Sequence, residues 1–213
     1  MDNRTVWAPI FFGGLWGIAE ATVGHMLHLA SRVTVLPGLA GFFMFPIGFF
    51  FMMSCYKKTH AASSVILTAA VAAGIKASSV IHPAVTLLFV SNPVISILAE
   101  GLVVFLVAPA LVRFRFTQLL PLAFSVSAGW RLLFFGLVFI LPVQKGILMK
   151  GPVAILSFLL FESIVNSVFL LAIIAGRAEE RTLLRLRRFT STAVFAVIAV
   201  CIGVGVELVL LGL

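Results

Sequence analysis

Five ionisable side chains, Glu20, Lys76, Glu100, Arg131 and Glu162, interrupt long apolar runs in this sequence. Charge at bilayer depth is costly, so such residues face a protein interior or a watery cavity and mark a functional path or site. Their types suit a polar or zwitterionic small molecule, with arginine and lysine holding anionic groups and glutamates accepting from donors. Polar neighbours recur at helical spacing. Asn92, Ser96 and Glu100 stand four residues apart, Ser127 lies one turn before Arg131, and Asn166 one turn after Glu162. Ser64 and Thr68 share a stripe with Lys76 through Ala72. These polar seams are expected to meet, with Arg131, Lys76, Glu100, Glu162 and Asn166 forming a pocket and Glu20 and His28 near its lid. The rival reading is structural: the same charges pair between helices, although Coulomb attraction only partly repays their desolvation.

His25 and His28, at i and i+3, are candidate metal ligands with His82, since neutral imidazoles suit zinc, nickel or copper. Signs of catalysis are few. The chain has no HExxH, no GxSxG nucleophile elbow and no GxxxxGK[ST] phosphate loop. Glu179, Glu180 and Arg185 approach an EExxxR motif but miss its spacing by one residue. The expectation is a chain that is not an enzyme and needs no cofactor. Two alternatives stand beside it: a membrane-embedded enzyme acting on a lipid or isoprenoid, and a structural membrane subunit.

The elements that must position these residues are transmembrane helices. Mean hydropathy is +1.22. Charged residues make up 10% of the chain, against about 25% in soluble domains. A spanning helix needs ~20 mostly apolar residues, and seven runs qualify: 7–30, 36–56, 61–81, 92–112, 118–141, 151–175 and 191–212. The expected fold is an all-α integral membrane protein. Residues 1–176 form a six-helix bundle of three hairpins, 177–190 a basic cytoplasmic loop, and 191–213 a seventh, appended transmembrane helix. The net charge of +8 reflects topology rather than nucleic-acid binding. A cytoplasmic N-terminus puts Arg4, Lys57, Lys58, Arg113, Arg115 and the run Arg177–Arg188 inside, leaving Arg32, Lys145 and Lys150 outside. That bias fits the positive-inside rule in a multi-pass cell membrane, expected to be a bacterial inner membrane. Cys55 and Cys201 have no CxxC spacing and indicate no disulfide framework.

Each hairpin has similar punctuation. Gly17, Gly74 and Gly129 are each followed closely by a charge, and Pro37, Pro93 and Pro152 are expected to open the return helices. On the first run, Gly13, Gly17, Glu20, Gly24 and His28 share one face, a seam of small residues suited to close helix approach.

The segments LWGIAEATVGHMLHL and LPGLAGFFMFPIGFFFM, with the six-helix topology, resemble the substrate-binding S component of energy-coupling factor (ECF) transporters. The resemblance covers roughly residues 5–176. It implies capture of a vitamin-like molecule or metal ion in an outward pocket beneath the loop Ser31 to Leu36. It also implies separate ATPase and transmembrane coupling subunits, the latter docked on Gly13 and Gly17, where the family carries alanines. The expected partners are therefore the lipid bilayer, a small polar solute and those subunits, with no nucleic acid.

Overall fold

The computed structural model describes residues 3–34, 39–83, 85–113, 116–141, 143, 148–175 and 192–211. The basic segment 177–190 lies outside them, as do Val35, Leu36 and Pro37, while Ser31 to Thr34, expected as a loop, continue the helix that begins at His25. Nine α-helices occur among the described residues: α1 Asn3–Ala19, α2 His25–Thr34, α3 Leu39–Thr59, α4 Ser63–Ala77, α5 Leu87–Leu111, α6 Phe116–Ile140, α7 Pro152–Leu156, α8 Glu162–Ala175 and α9 Ala193–Leu211. There are no strands among them. Wider π turns at Glu20–Gly24 and Ser157–Phe161 join α1 to α2 and α7 to α8 without ending the helix.

The protein is an all-α membrane protein with seven spans: Val6–Leu27, Ala40–Thr59, Ser63–Ile81, Val90–Leu111, Gln118–Ile140, Pro152–Ala175 and Ala193–Leu211. Apolar composition drives this choice, because in lipid each backbone polar group must be satisfied within its own helix. Large apolar side chains such as Leu106, Phe139, Val153, Val168 and Val197 point outward, where acyl chains would solvate them. Consecutive spans pack as the hairpins α1–α3, α4–α5 and α6–α8. The second span, α3, is the hub, touching α1, α4, α5 and α8. Its Phe45 stacks toward Trp130 at 5.2 Å between ring centroids, and Phe158 meets Trp130 edge-on at 5.9 Å. Aromatic pairs of this kind contribute ~0.5–1.5 kcal/mol beyond their buried area.

Three expectations need correction. The seventh helix is not an appendage, because α9 packs along α1 and reaches α4. A methyl group at Gly14 would come 2.8 Å from Ala199 Cβ, and one at Gly203 would come 3.0 Å from Ile75 Cδ1. The small-residue face of α1 is filled by this chain's own third span. A Cβ at Gly13 would stand 2.6 Å from the Thr68 carbonyl oxygen, and one at Gly17 would collide with Ile75. Gly13 and Gly17 therefore serve internal packing, and that face is closed to a partner. Finally, Pro93 does not open its helix but lies inside α5, which begins at Leu87. Pro152 does hold the first helical position, after Gly151 at φ +85°.

The glycines of the three hairpins are not equivalent either. Gly17 is wedged against Ile75, Gly129 meets Val103, and the Cβ position of Gly74 has nothing within 4 Å. Their common spacing reflects hairpin length rather than a shared contact.

Candidate functional site

Six side chains of charged type are buried in the bundle among the described residues: Glu20, Lys76, Glu100, Arg131, Glu162 and Glu207. They divide into two ion-paired groups and two glutamates between them.

The first group centres on Arg131 of α6, whose side chain is completely buried. The i, i+4 period places Ser127 directly behind it, and Arg131 Nη1 donates to Ser127 O and Oγ, both at 3.0 Å. Glu162 and Asn166 come one turn apart from α8. Arg131 Nη2 donates to Glu162 Oε2 at 3.5 Å. With the Asn166 amide oriented to suit its neighbours, its oxygen accepts from Arg131 Nη2 at 2.8 Å and its nitrogen donates to Phe42 O at 2.9 Å. The guanidinium also lies 4.6 Å from the Trp130 ring centre and 5.4 Å from that of Phe158, in cation–π range. Both Nη nitrogens are thus engaged within the chain, and Nε has no partner.

The second group joins α4 to α9. Lys76 Nζ donates to Glu207 Oε1 at 2.7 Å, and Ser79 Oγ lies 2.5 Å from the same oxygen. Ser79 Oγ is also 2.7 Å from Lys76 O, so its single proton serves one of two acceptors. Lys76 is spent on the last helix. This separates it from Arg131, which it was expected to accompany. Glu207 was overlooked in the sequence, although a lone acid in AVCIGVGVELVLL, one turn after Gly203, is a legible signal.

Glu20 and Glu100 fill the space between. Glu20 opens the first π turn, and its carboxylate fits beside Gly24, where a Cβ would stand 2.9 Å from Glu20 Oε2. It feels the charges of Lys76 and Glu207. One turn earlier, the fully buried Trp16 faces the Glu20 carboxylate, yet its Nε1 completes no hydrogen bond. Glu100 of α5 accepts from Ser96 Oγ at 3.1 Å through Oε1, while Oε2 has no partner. Its carboxylate lies within electrostatic reach of Glu20 and Arg131. Hydrogen bonds at the two ends, and electrostatic reach among Lys76, Glu20, Glu100 and Arg131, link these groups into a polar line from Glu207 to Glu162 and Asn166. The second π turn ends immediately before Glu162, so each wide turn among the described residues adjoins a buried glutamate. Single π turns often accompany functional positions, and no spacing rule in the sequence foretold them.

His25 follows the first π turn at the start of α2, and His82 follows the third span. The side chain of His28 lies outside the described residues. Among the described residues no three of His, Cys, Asp and Glu come together as a metal centre. A separate cavity of about 190 Å³ opens at the other end of the bundle, beside Met53, Lys57, Leu111, Leu119 and Ile173, away from the polar line. Comparison with protein-family models, curated proteins and solved structures finds no match to this chain.

Proposed function

We propose that this chain is a membrane subunit that captures a small polar solute bearing both donors and acceptors and passes it across the bilayer. The observation that carries this reading is the set of unmatched polar atoms along the polar line. Glu100 Oε2 is an acceptor without a donor, and Arg131 Nε and Trp130 Nε1 are donors without acceptors. Each such atom costs ~1–3 kcal/mol when buried and unsatisfied, and one zwitterionic or polar molecule would satisfy several together. Arg131 already has its Nη groups engaged, so in this reading it presents only its Nε edge to the solute and otherwise orders Glu162 and Asn166.

Uptake against a gradient needs an energy source, and the chain carries no phosphate-binding loop. A separate ATPase with a transmembrane coupling subunit, as in the ECF transporters the sequence resembles, would supply it. With Gly13 and Gly17 closed by the third span, that subunit would bind a different face. The chain would lie in a cell membrane with its N-terminus in the cytoplasm.

Native mass spectrometry of the full chain, gently extracted from its own host, tests the proposal. A polar molecule retained at one per chain and lost in Arg131→Lys, which keeps the charge but removes the Nε edge, is the expected result. Lipid adducts alone, identical in wild type and variant, would overturn it. Chemical conversion of a lipid by the isolated chain would replace it with the enzyme reading.

A further inference from the structure

Four carboxylates face two cations in the buried core. Lys76 is matched to Glu207 and Arg131 to Glu162, leaving Glu20 and Glu100 with no ion-pair partner among the described residues. Both are deeply buried, at 8% and 2% relative exposure. The groups acting on them are accounted for: Lys76 and Glu207 bear on Glu20, while Glu20 and Arg131 bear on Glu100. Neither glutamate gains a cation of its own from that arrangement. One further atom points to something that is missing: Glu100 Oε2, buried, has no donor.

An isolated ionised carboxylate cannot be held in a low-dielectric interior without a compensating charge. We infer that Glu20 and Glu100 take up an exchangeable positive charge from solution, either a proton or a monovalent inorganic cation such as sodium. The charges of Lys76 and Arg131 reach the two glutamates and offset part of their negative charge, which favours a single positive charge over a divalent ion. Occupancy of this site would link the Lys76 side of the polar line to the Arg131 side, because Glu20 senses the former and Glu100 the latter. The inference does not rest on solute capture: a chain that retains no solute can still exchange this charge.

Infrared difference spectroscopy of the full chain in lipid nanodiscs tests it, with two perturbations: a rise in pH in sodium-free choline buffer, and addition of sodium chloride at constant pH. The expected result is a carboxylic-acid carbonyl band that vanishes as pH rises and loses roughly half its amplitude in each of Glu20→Gln and Glu100→Gln, given that two carboxyls contribute. If sodium alone converts that band to carboxylate bands, the exchanged charge is sodium; if only pH moves it, the charge is the proton. Glutamine keeps the glutamate shape, and the wild-type spectra stand without either variant. The inference is overturned if neither perturbation changes a carboxyl band. It is equally overturned if the titrating band survives undiminished in both variants, which would place it on other acids.

Discussion

Replacing Glu207 with glutamine should loosen the last helix from the bundle by a measurable amount. The wild-type carboxylate holds Lys76 Nζ at 2.7 Å and Ser79 Oγ at 2.5 Å, both in the interior. Glutamine keeps the volume but removes the charge, so Lys76 becomes a buried ammonium without its counter-ion. Breaking one side of a buried pair costs ~3–5 kcal/mol. The lower end applies here, because Lys76 still feels Glu20, giving about 3 kcal/mol. For a chain of this size each kcal/mol moves the melting midpoint by about 2–4 °C, so the midpoint should fall by roughly 6–12 °C. Thermal unfolding of the purified protein in mild detergent reads this directly. The double variant Lys76→Met, Glu207→Leu should recover most of the loss, since replacing both partners leaves no lone charge. Should Glu207→Gln melt within about 2 °C of wild type, the pair would not be holding the seventh helix, and the reasoning would fail.

Other consequences of the packing are as direct. Gly17→Val drives a branched side chain into Ile75 and should cost ~1–3 kcal/mol by overpacking, seen as a lowered melting midpoint; an unchanged midpoint would place the α1–α4 contact elsewhere. Asn166→Leu strips the Arg131 Nη2 and Phe42 carbonyl partners at once, and the unsatisfied groups should cost about 2–4 kcal/mol in the same assay, whereas a neutral result would refute that amide bridge. Topology can be read with cysteines in a background lacking Cys55 and Cys201. Met149→Cys, at an 82% exposed position, should react with a membrane-impermeant maleimide in intact cells, and Arg113→Cys only after permeabilisation; the reverse pattern would invert the proposed orientation.

The spans were legible because hydropathy integrates over some twenty residues, and local errors cancel in so long a window. Relations within one helix were legible too: Ser127 behind Arg131 and Asn166 beside Glu162 follow from the period alone. Relations between helices were not. The polar seams of α4, α5, α6 and α8 looked equivalent, yet Lys76 went to α9 and Arg131 to α8, because helix order around the bundle decides which seams face each other. The glycine seam on α1 was recognised, but its target was misjudged: a small-residue face specifies close approach and not the identity of the helix that approaches. Pro93 misled because a proline can be carried inside a helix at the cost of one hydrogen bond. The π turns escaped entirely, since a single wide turn leaves hydropathy unchanged.

The Lys76–Glu207 clasp also sets a timetable for biosynthesis. The partners stand 131 residues apart, and at ~5–20 residues per second the lysine is made roughly 7–26 seconds before its counter-ion. Until then the third span carries a cation without its ion-pair partner, while Glu20, already synthesised, stands within its electrostatic reach in the finished fold. The last helix to leave the ribosome is thus the one that neutralises an early one. A chain cut short before Glu207 lacks the counter-ion that the Lys76 ammonium meets in the finished fold.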